Sequence, residues 1–153
     1  MTGGGAVRRH ATQIFEYFHC LWCSETAGHL GAEPGLPKWQ TYWDFLTLVW
    51  ALVVWGSKFV THRVAVLGDN TGALTDALNL KGTGPLLAIA RELAWRQAKH
   101  GWLFAVGHVP SESNGIPDAL SRLAEPGKSF PARALRHAQQ VAAPASDGFW
   151  RVR

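Results

Sequence analysis

An α/β fold, with a sheet of mixed direction flanked by helices, is what this sequence predicts on three observations. Short runs of β-type residues around a turn open the chain. From residue 42 onward, segments with helical spacing alternate with short apolar strands, the pattern of an α/β sheet. The 153 residues fit one domain, and 47% of them are apolar, enough for a real core.

Strands are expected at residues 6–9 and 13–21, where β-type residues are broken by Arg8-Arg9-His10. Residues 28–37, rich in Gly and Pro, read as a loop. A helix is expected over 42–56. Phe45, Leu46, Leu48, Val49, Trp50, Leu52, Val53 and Val54 cover nearly all its sides, which marks a buried helix. Its remaining side carries Gln40, Asp44, Thr47 and Ala51. Residues 63–68 form a short apolar strand that ends at Asp69-Asn70, with a short helix following at 71–79. After Lys81-Gly82-Thr83-Gly84-Pro85 a helix runs to about residue 99, its apolar stripe made by Leu86, Ile89, Ala90, Leu93 and Ala94. Residues 102–108 are almost continuously apolar, as in a strand buried on both faces. A last helix at 116–123 tolerates Pro117 in its first turn. These elements define a domain over 1–123. Residues 124–153, rich in Pro, Ala and basic side chains, read as a mobile tail with a helical stretch at 132–141.

Composition narrows the function classes. The net charge is +4, a mild lean toward polyanions and no nucleic-acid signature by itself. Eight Trp residues serve a core, with some available to stack on bases or sugars. Cys20 and Cys23 are the only cysteines, which excludes a disulfide framework; no second ligand pair follows at zinc-finger spacing. The chain reads as intracellular, cytoplasmic or nuclear. No signal peptide is visible, and the longest apolar run, 45–55, falls short of the ~20 residues that span a bilayer.

In α/β sheets ligands bind beyond the carboxyl ends of parallel strands. Asp69 lies just past one such end, and His108 and Asp118 lie just past another, so two carboxylates and an imidazole are expected in one crevice. Asp44, at the start of the long helix, would join them. Carboxylates brought together repel unless a cation intervenes, and oxygen ligands favour Mg²⁺. Each residue alone has a plainer reading. Asp69-Asn70 with Gly72 shapes a turn and caps a helix. Asp118 faces a helix dipole. Asn114 closes a loop, and Thr41-x-x-Asp44 resembles a capping box.

Together the spacings carry a resemblance. Gly107-His108-x5-Asn114-x3-Asp118-x-Leu120-Ser121-Arg122 resembles the C-terminal motif of ribonuclease H domains in retroelement reverse transcriptases, most like those of DIRS-type and related elements. Val66-Leu67-Gly68-Asp69-Asn70 resembles the strand bearing their central aspartate, and Asp44-x6-Ala51-Leu52 the helix bearing their glutamate. The resemblance covers about residues 3–122. It implies a ribonuclease H-like mixed sheet and a nuclease that cuts the RNA strand of an RNA–DNA hybrid with two Mg²⁺ ions about 4 Å apart. Asp44, Asp69 and Asp118 would be metal ligands and catalytic carboxylates. His108 would move water, protons or product. Asn70, Asn114, Arg91, Arg96 and Lys99 would meet the substrate. A preceding polymerase portion of a polyprotein is an implied partner, and a membrane is not.

Two departures stand out. Asp44 is one methylene shorter than the glutamate it replaces. The family's first, central strand, which carries a further aspartate, has no counterpart, since Gly3-Gly4-Gly5-Ala6-Val7 resembles the second strand and no carboxylate precedes Glu16. Without that strand, the sequence allows a gap in the sheet, closure of its neighbours onto each other, or strand addition from another chain. The rival readings are a catalytically dead remnant, a nucleic-acid-binding module, and an integrase- or transposase-like fold. The His108–Asp118 spacing argues against the last.

Overall fold

The computed structural model describes residues 3–60, 63–145 and 149–151. Residues 1–2 and 61–62 of the expected domain, and 146–148 and 152–153 of the expected tail, lie outside the described residues. The fold is α/β, and its strands fall into two separate sheets.

The chain opens with a hairpin of β1 (Gly3–His10) and β2 (Gln13–Leu21), paired antiparallel from Gly3↔Leu21 to His10↔Gln13 with a shift between Arg8 and Arg9. The two-residue turn holds Ala11 at φ 51, a left-handed conformation that disfavours any Cβ. The first strand is thus longer than the expected 6–9, because the three glycines that precede Ala6 extend it. Next come α1 (Ser24–Leu30) and α2 (Gln40–Trp55). Helix α1 occupies part of the expected 28–37 loop. Gly28 weakens it by ~1 kcal/mol, but Thr26 and Leu30 are buried, and Gly31 at φ 64 closes it. Helix α2 buries Phe45, Leu46, Val49, Trp50 and Leu52, as its all-round apolarity requires.

The second sheet pairs β3 (Ala65–Gly68) in parallel with β4 (Ala105–His108), in register from Ala65↔Ala105 to Gly68↔His108. Between them run α3 (Thr71–Asn79) and α4 (Pro85–His100). Strand β4 starts later than expected and is not buried on both faces. Its outer face is open, as is that of β3, where Leu67 is 46% exposed; Leu103, just before β4, is 84% exposed. The apolar run served one covered face and one uncovered face.

Helix α5 (Gly115–Ser121) follows a 3-10 turn at Ser111–Asn114. It lies on the hairpin face opposite α2. Alternation along β1 explains how. A Cβ on Gly4 would meet Thr47 Oγ1 of α2 at 2.7 Å, and one on Gly5 would meet Leu120 Cβ of α5 at 2.5 Å.

Residues after 123 are not a tail apart from the domain. Helix α6 (Ala132–Leu135) buries Leu135 with Tyr17 and Leu120, and β5 (Gln139–Gln140) adds to β2 in parallel. The helical expectation over 132–141 holds only for one turn. Phe149 is buried in the main core. Arg96 Nη2 donates to its carbonyl at 2.6 Å, and Glu92 Oε2 accepts the Arg151 N–H at 2.9 Å.

The first sheet has the order β1-β2-β5 and the second β3-β4. Among the described residues no strand joins them. Among the described residues β1 and β3 do not pair, so these two strands have not closed onto each other.

Candidate active site

Asp44, Asp69 and Asp118 come from three elements and line one cleft of about 680 Å³. The Gly3–Gly5 edge of β1 forms one wall, and Asp69, Asn70 and Thr71, which leave the end of β3, form another. Trp43, Asp44 and Thr47 of α2 contribute a third side. The turn after β3 opens there because Gly68 ends the strand and Asn70 caps α3, its side-chain oxygen accepting the Ala73 N–H at 3.1 Å.

Each carboxylate has its own protein donors. Asp44 Oδ1 accepts from Gln40 Nε2 at 2.9 Å, and Oδ2 accepts from Asn70 Nδ2 at 2.7 Å. Asp69 Oδ1 accepts from Asn114 Nδ2 at 3.1 Å. Asp118 Oδ1 accepts from Arg122 Nε at 2.9 Å, the residue just after α5. Burial pushes the Asp44 carboxyl above the usual aspartate range. The Asn70 and Gln40 amides pull the other way, and the charges of Asp69 and Asp118 push it up again. Burial is the largest of these causes, and the neighbouring carboxylates are the smallest.

The other expected site residues divide. Asn70 and Asn114 line the cleft, both tied to its carboxylates. His108 is exposed and lies on a separate shallow depression with Leu74, Leu78 and Val106, which shares Thr71 with the main cleft. Arg91 and Lys99 are exposed on α4 and are not among the cleft residues; the Lys99 ammonium sits 4.7 Å over the Trp95 ring. Arg96 does not meet the role expected of it. It is buried, held by Glu92 at 3.0 Å and by the Phe149 carbonyl, because the i,i+4 pair faces the core rather than solvent.

Sequence reasoning missed several lining residues. Gly3–Gly5 entered only as part of the run that resembles the family's second strand, and Arg122 only as part of a motif. Trp43 also lines the cleft, and its buried indole N–H has no partner among the described residues. The donor set of carboxylates and amide oxygens suits a hard divalent cation. Convergence is weaker than chemistry. Among the described residues no three His, Cys, Asp or Glu side chains are grouped so as to hold one metal ion. The thiols offer no alternative centre: burial pushes Cys20 up to about 11, and Cys23 stands outside the strand, beside Thr26. No helix among the described residues is long and apolar enough to cross a membrane.

Comparison with protein-family models, curated proteins and solved structures finds no match for this chain.

Proposed function

We propose that this chain is a ribonuclease H-like domain of a retroelement reverse transcriptase, whose acidic cleft binds divalent metal and, in the intact form of the domain, cleaves the RNA strand of an RNA–DNA hybrid. The observation that carries the reading is the meeting of Asp44, Asp69 and Asp118, from the second turn of α2, the end of β3 and α5, on one cleft. The two-sheet arrangement supports it further, since the strand that the family would place between β1 and β3 is the one this sequence lacks. Asp69 and Asp118 are the residues proposed to hold Mg²⁺. When bound, the metal pair of the family supplies an activated water and stabilises the leaving oxygen. The chain's own contribution is to hold these carboxylates by Asn114 and Arg122, on a cleft wall whose glycines let α2 and α5 pack closely. Hybrid recognition would run through backbone and 2′-hydroxyl contacts rather than base edges.

A second reading, a nucleic-acid-binding or catalytically dead relative, is favoured by one observation. Every carboxylate already has a protein donor, and the three do not converge on one point. Hybrid cleavage in Mg²⁺ separates the two. The chain as it stands is expected to be inactive, and a version extended at its N-terminus by an aspartate-bearing strand is expected to cleave. Salt-dependent binding without turnover in both versions would favour the binding module.

A further inference from the structure

Resting on the nuclease reading above, we infer that Asp44 is a positioning residue rather than a metal ligand: through Asn70 it fixes the start of α3 and the turn that carries Asp69.

The hydrogen bonds run in one direction. Asp44 Oδ2 accepts from Asn70 Nδ2 at 2.7 Å, and Asn70 Nδ2 also reaches Thr41 Oγ1 at 3.4 Å. The other end of the same amide, Oδ1, accepts the Ala73 N–H at 3.1 Å, while the Asn70 carbonyl receives the Leu74 N–H at 3.1 Å. The Asn70 side chain cannot turn over without placing its NH2 against the Ala73 N–H and its carbonyl against a carboxylate. Asp44 and the helix cap therefore hold it from both ends. Asp69 is the preceding residue, so fixing Asn70 fixes where the Asp69 side chain leaves the chain. Asp69 is tied in turn to Asn114, just before the helix of Asp118. Gly72 lets the assembly close up, since a Cβ there would stand 3.3 Å from both Asn70 Oδ1 and Thr41 Cγ2.

Asp44's remaining oxygen is taken by Gln40 at 2.9 Å. Both oxygens thus serve amide donors, and no three acidic or His/Cys side chains among the described residues are grouped for metal. An acceptor for Asn70 need not be charged, whereas a carboxylate ligand that loses its charge loses most of its attraction for a divalent cation. Asparagine at position 44 keeps the acceptor, and the exposed Gln40 amide rotates to present its carbonyl to the new NH2.

That difference gives the test. Mn²⁺ binding to the full chain is measured calorimetrically for wild type, Asp44→Asn, Asp44→Ala, Asn70→Ala and the double alanine variant. Hydrogen exchange of the Ala73 amide is measured for wild type, Asp44→Asn and Asp44→Ala. As a support of the metal site, Asp44→Ala and Asn70→Ala each weaken Mn²⁺ by about tenfold or more. The double variant is no weaker than either single one, since both break one connection. Asp44→Asn stays within about threefold of wild type, the loss of a nearby charge alone, and keeps wild-type Ala73 protection, whereas Asp44→Ala loses it. Loss of Mn²⁺ affinity in Asp44→Asn as severe as in Asp44→Ala overturns the assignment and makes Asp44 a ligand. If wild type binds no Mn²⁺, the nuclease reading fails by itself. The exchange result then decides alone: faster Ala73 exchange only in Asp44→Ala supports the role, and equal exchange in all three chains overturns it.

Discussion

Gly5 is the residue on which the seating of α5, and so the position of Asp118, depends. A Cβ at that position would lie 2.5 Å from Leu120 Cβ, 2.9 Å from the Pro117 carbonyl oxygen and 3.0 Å from the Ser121 nitrogen. Two of the three are backbone atoms, so no rotamer change relieves the contact. Ordinary carbon contacts begin near 3.5 Å, so Gly5→Ala must lift α5 by about 1 Å or bend β1. Leu120 is 1% exposed and packs with Tyr17 and Leu135, so the lift opens the small second core as well. Overpacking of this kind costs about 1–3 kcal/mol. With a urea m-value of about 2 kcal/mol/M, a 2 kcal/mol loss lowers the unfolding midpoint by about 1 M. The assay is urea unfolding followed by tryptophan fluorescence, paired with Mn²⁺ titration. Gly5→Ala is expected to lower both the midpoint and the metal affinity, because Asp118 moves with its helix. A midpoint unchanged within about 0.3 M, with metal affinity unchanged, would refute the claim that the glycine edge sets the cleft.

Four further outcomes follow. Asp69→Asn should weaken Mn²⁺ binding and leave metal-free stability level or higher, because removing that charge relieves Asp44; a large loss of metal-free stability would support a purely capping role. Asp44 titrates above the ordinary aspartate value of 3.8, so the folded chain holds its proton longer than the unfolded chain. Its stabilising contribution is therefore complete below that value and is lost as pH rises through the raised one. Asp44→Asn should be as stable as wild type at about pH 3 and more stable at about pH 7; urea midpoints at the two pH values decide it. Arg96→Ala deprives fully buried Glu92 of its guanidinium partner and should cost about 3–5 kcal/mol, with release of Phe149 visible as faster exchange of the Arg151 amide. Ala11→Gly relieves a Cβ at φ 51 and should raise stability by about 1 kcal/mol in thermal unfolding.

Sequence pattern revealed most where one physical demand dominates. Helix α2 is apolar on nearly every side, and only burial explains that, so its place in the core could be read directly. Asp69 and Asp118 could be singled out because residues just past strand ends share an edge. The rest failed for identifiable reasons. The Glu92–Arg96 spacing is the same on a wet helix face and in a core, and only the carbonyl of Phe149 decides between them. Phe149 itself sits among Pro, Ala and basic residues with no periodicity to announce its burial. Helix α1 was hidden by Gly28, whose cost is offset by the burial of Leu30 and Thr26. The glycines of β1 are weak strand formers by propensity, and their use is close approach on alternating faces, which no propensity records. His108 followed its motif spacing but lies on the neighbouring depression, because the strand end that carries it continues into the β3–β4 ladder, with the Val109 N–H bonded to Gly68 O at 2.9 Å.

The most direct measurement of the central claim is paramagnetic broadening of backbone amide signals as Mn²⁺ is added to the full chain. Metal held in the acidic cleft should broaden Gly4, Gly5, Asp69, Asn114 and Asp118 first, leave Arg91 and Lys99 sharp, and lose this pattern in the Asp69→Asn, Asp118→Asn double variant. Broadening centred away from these residues, or equal in the double variant, would contradict a metal-binding catalytic cleft.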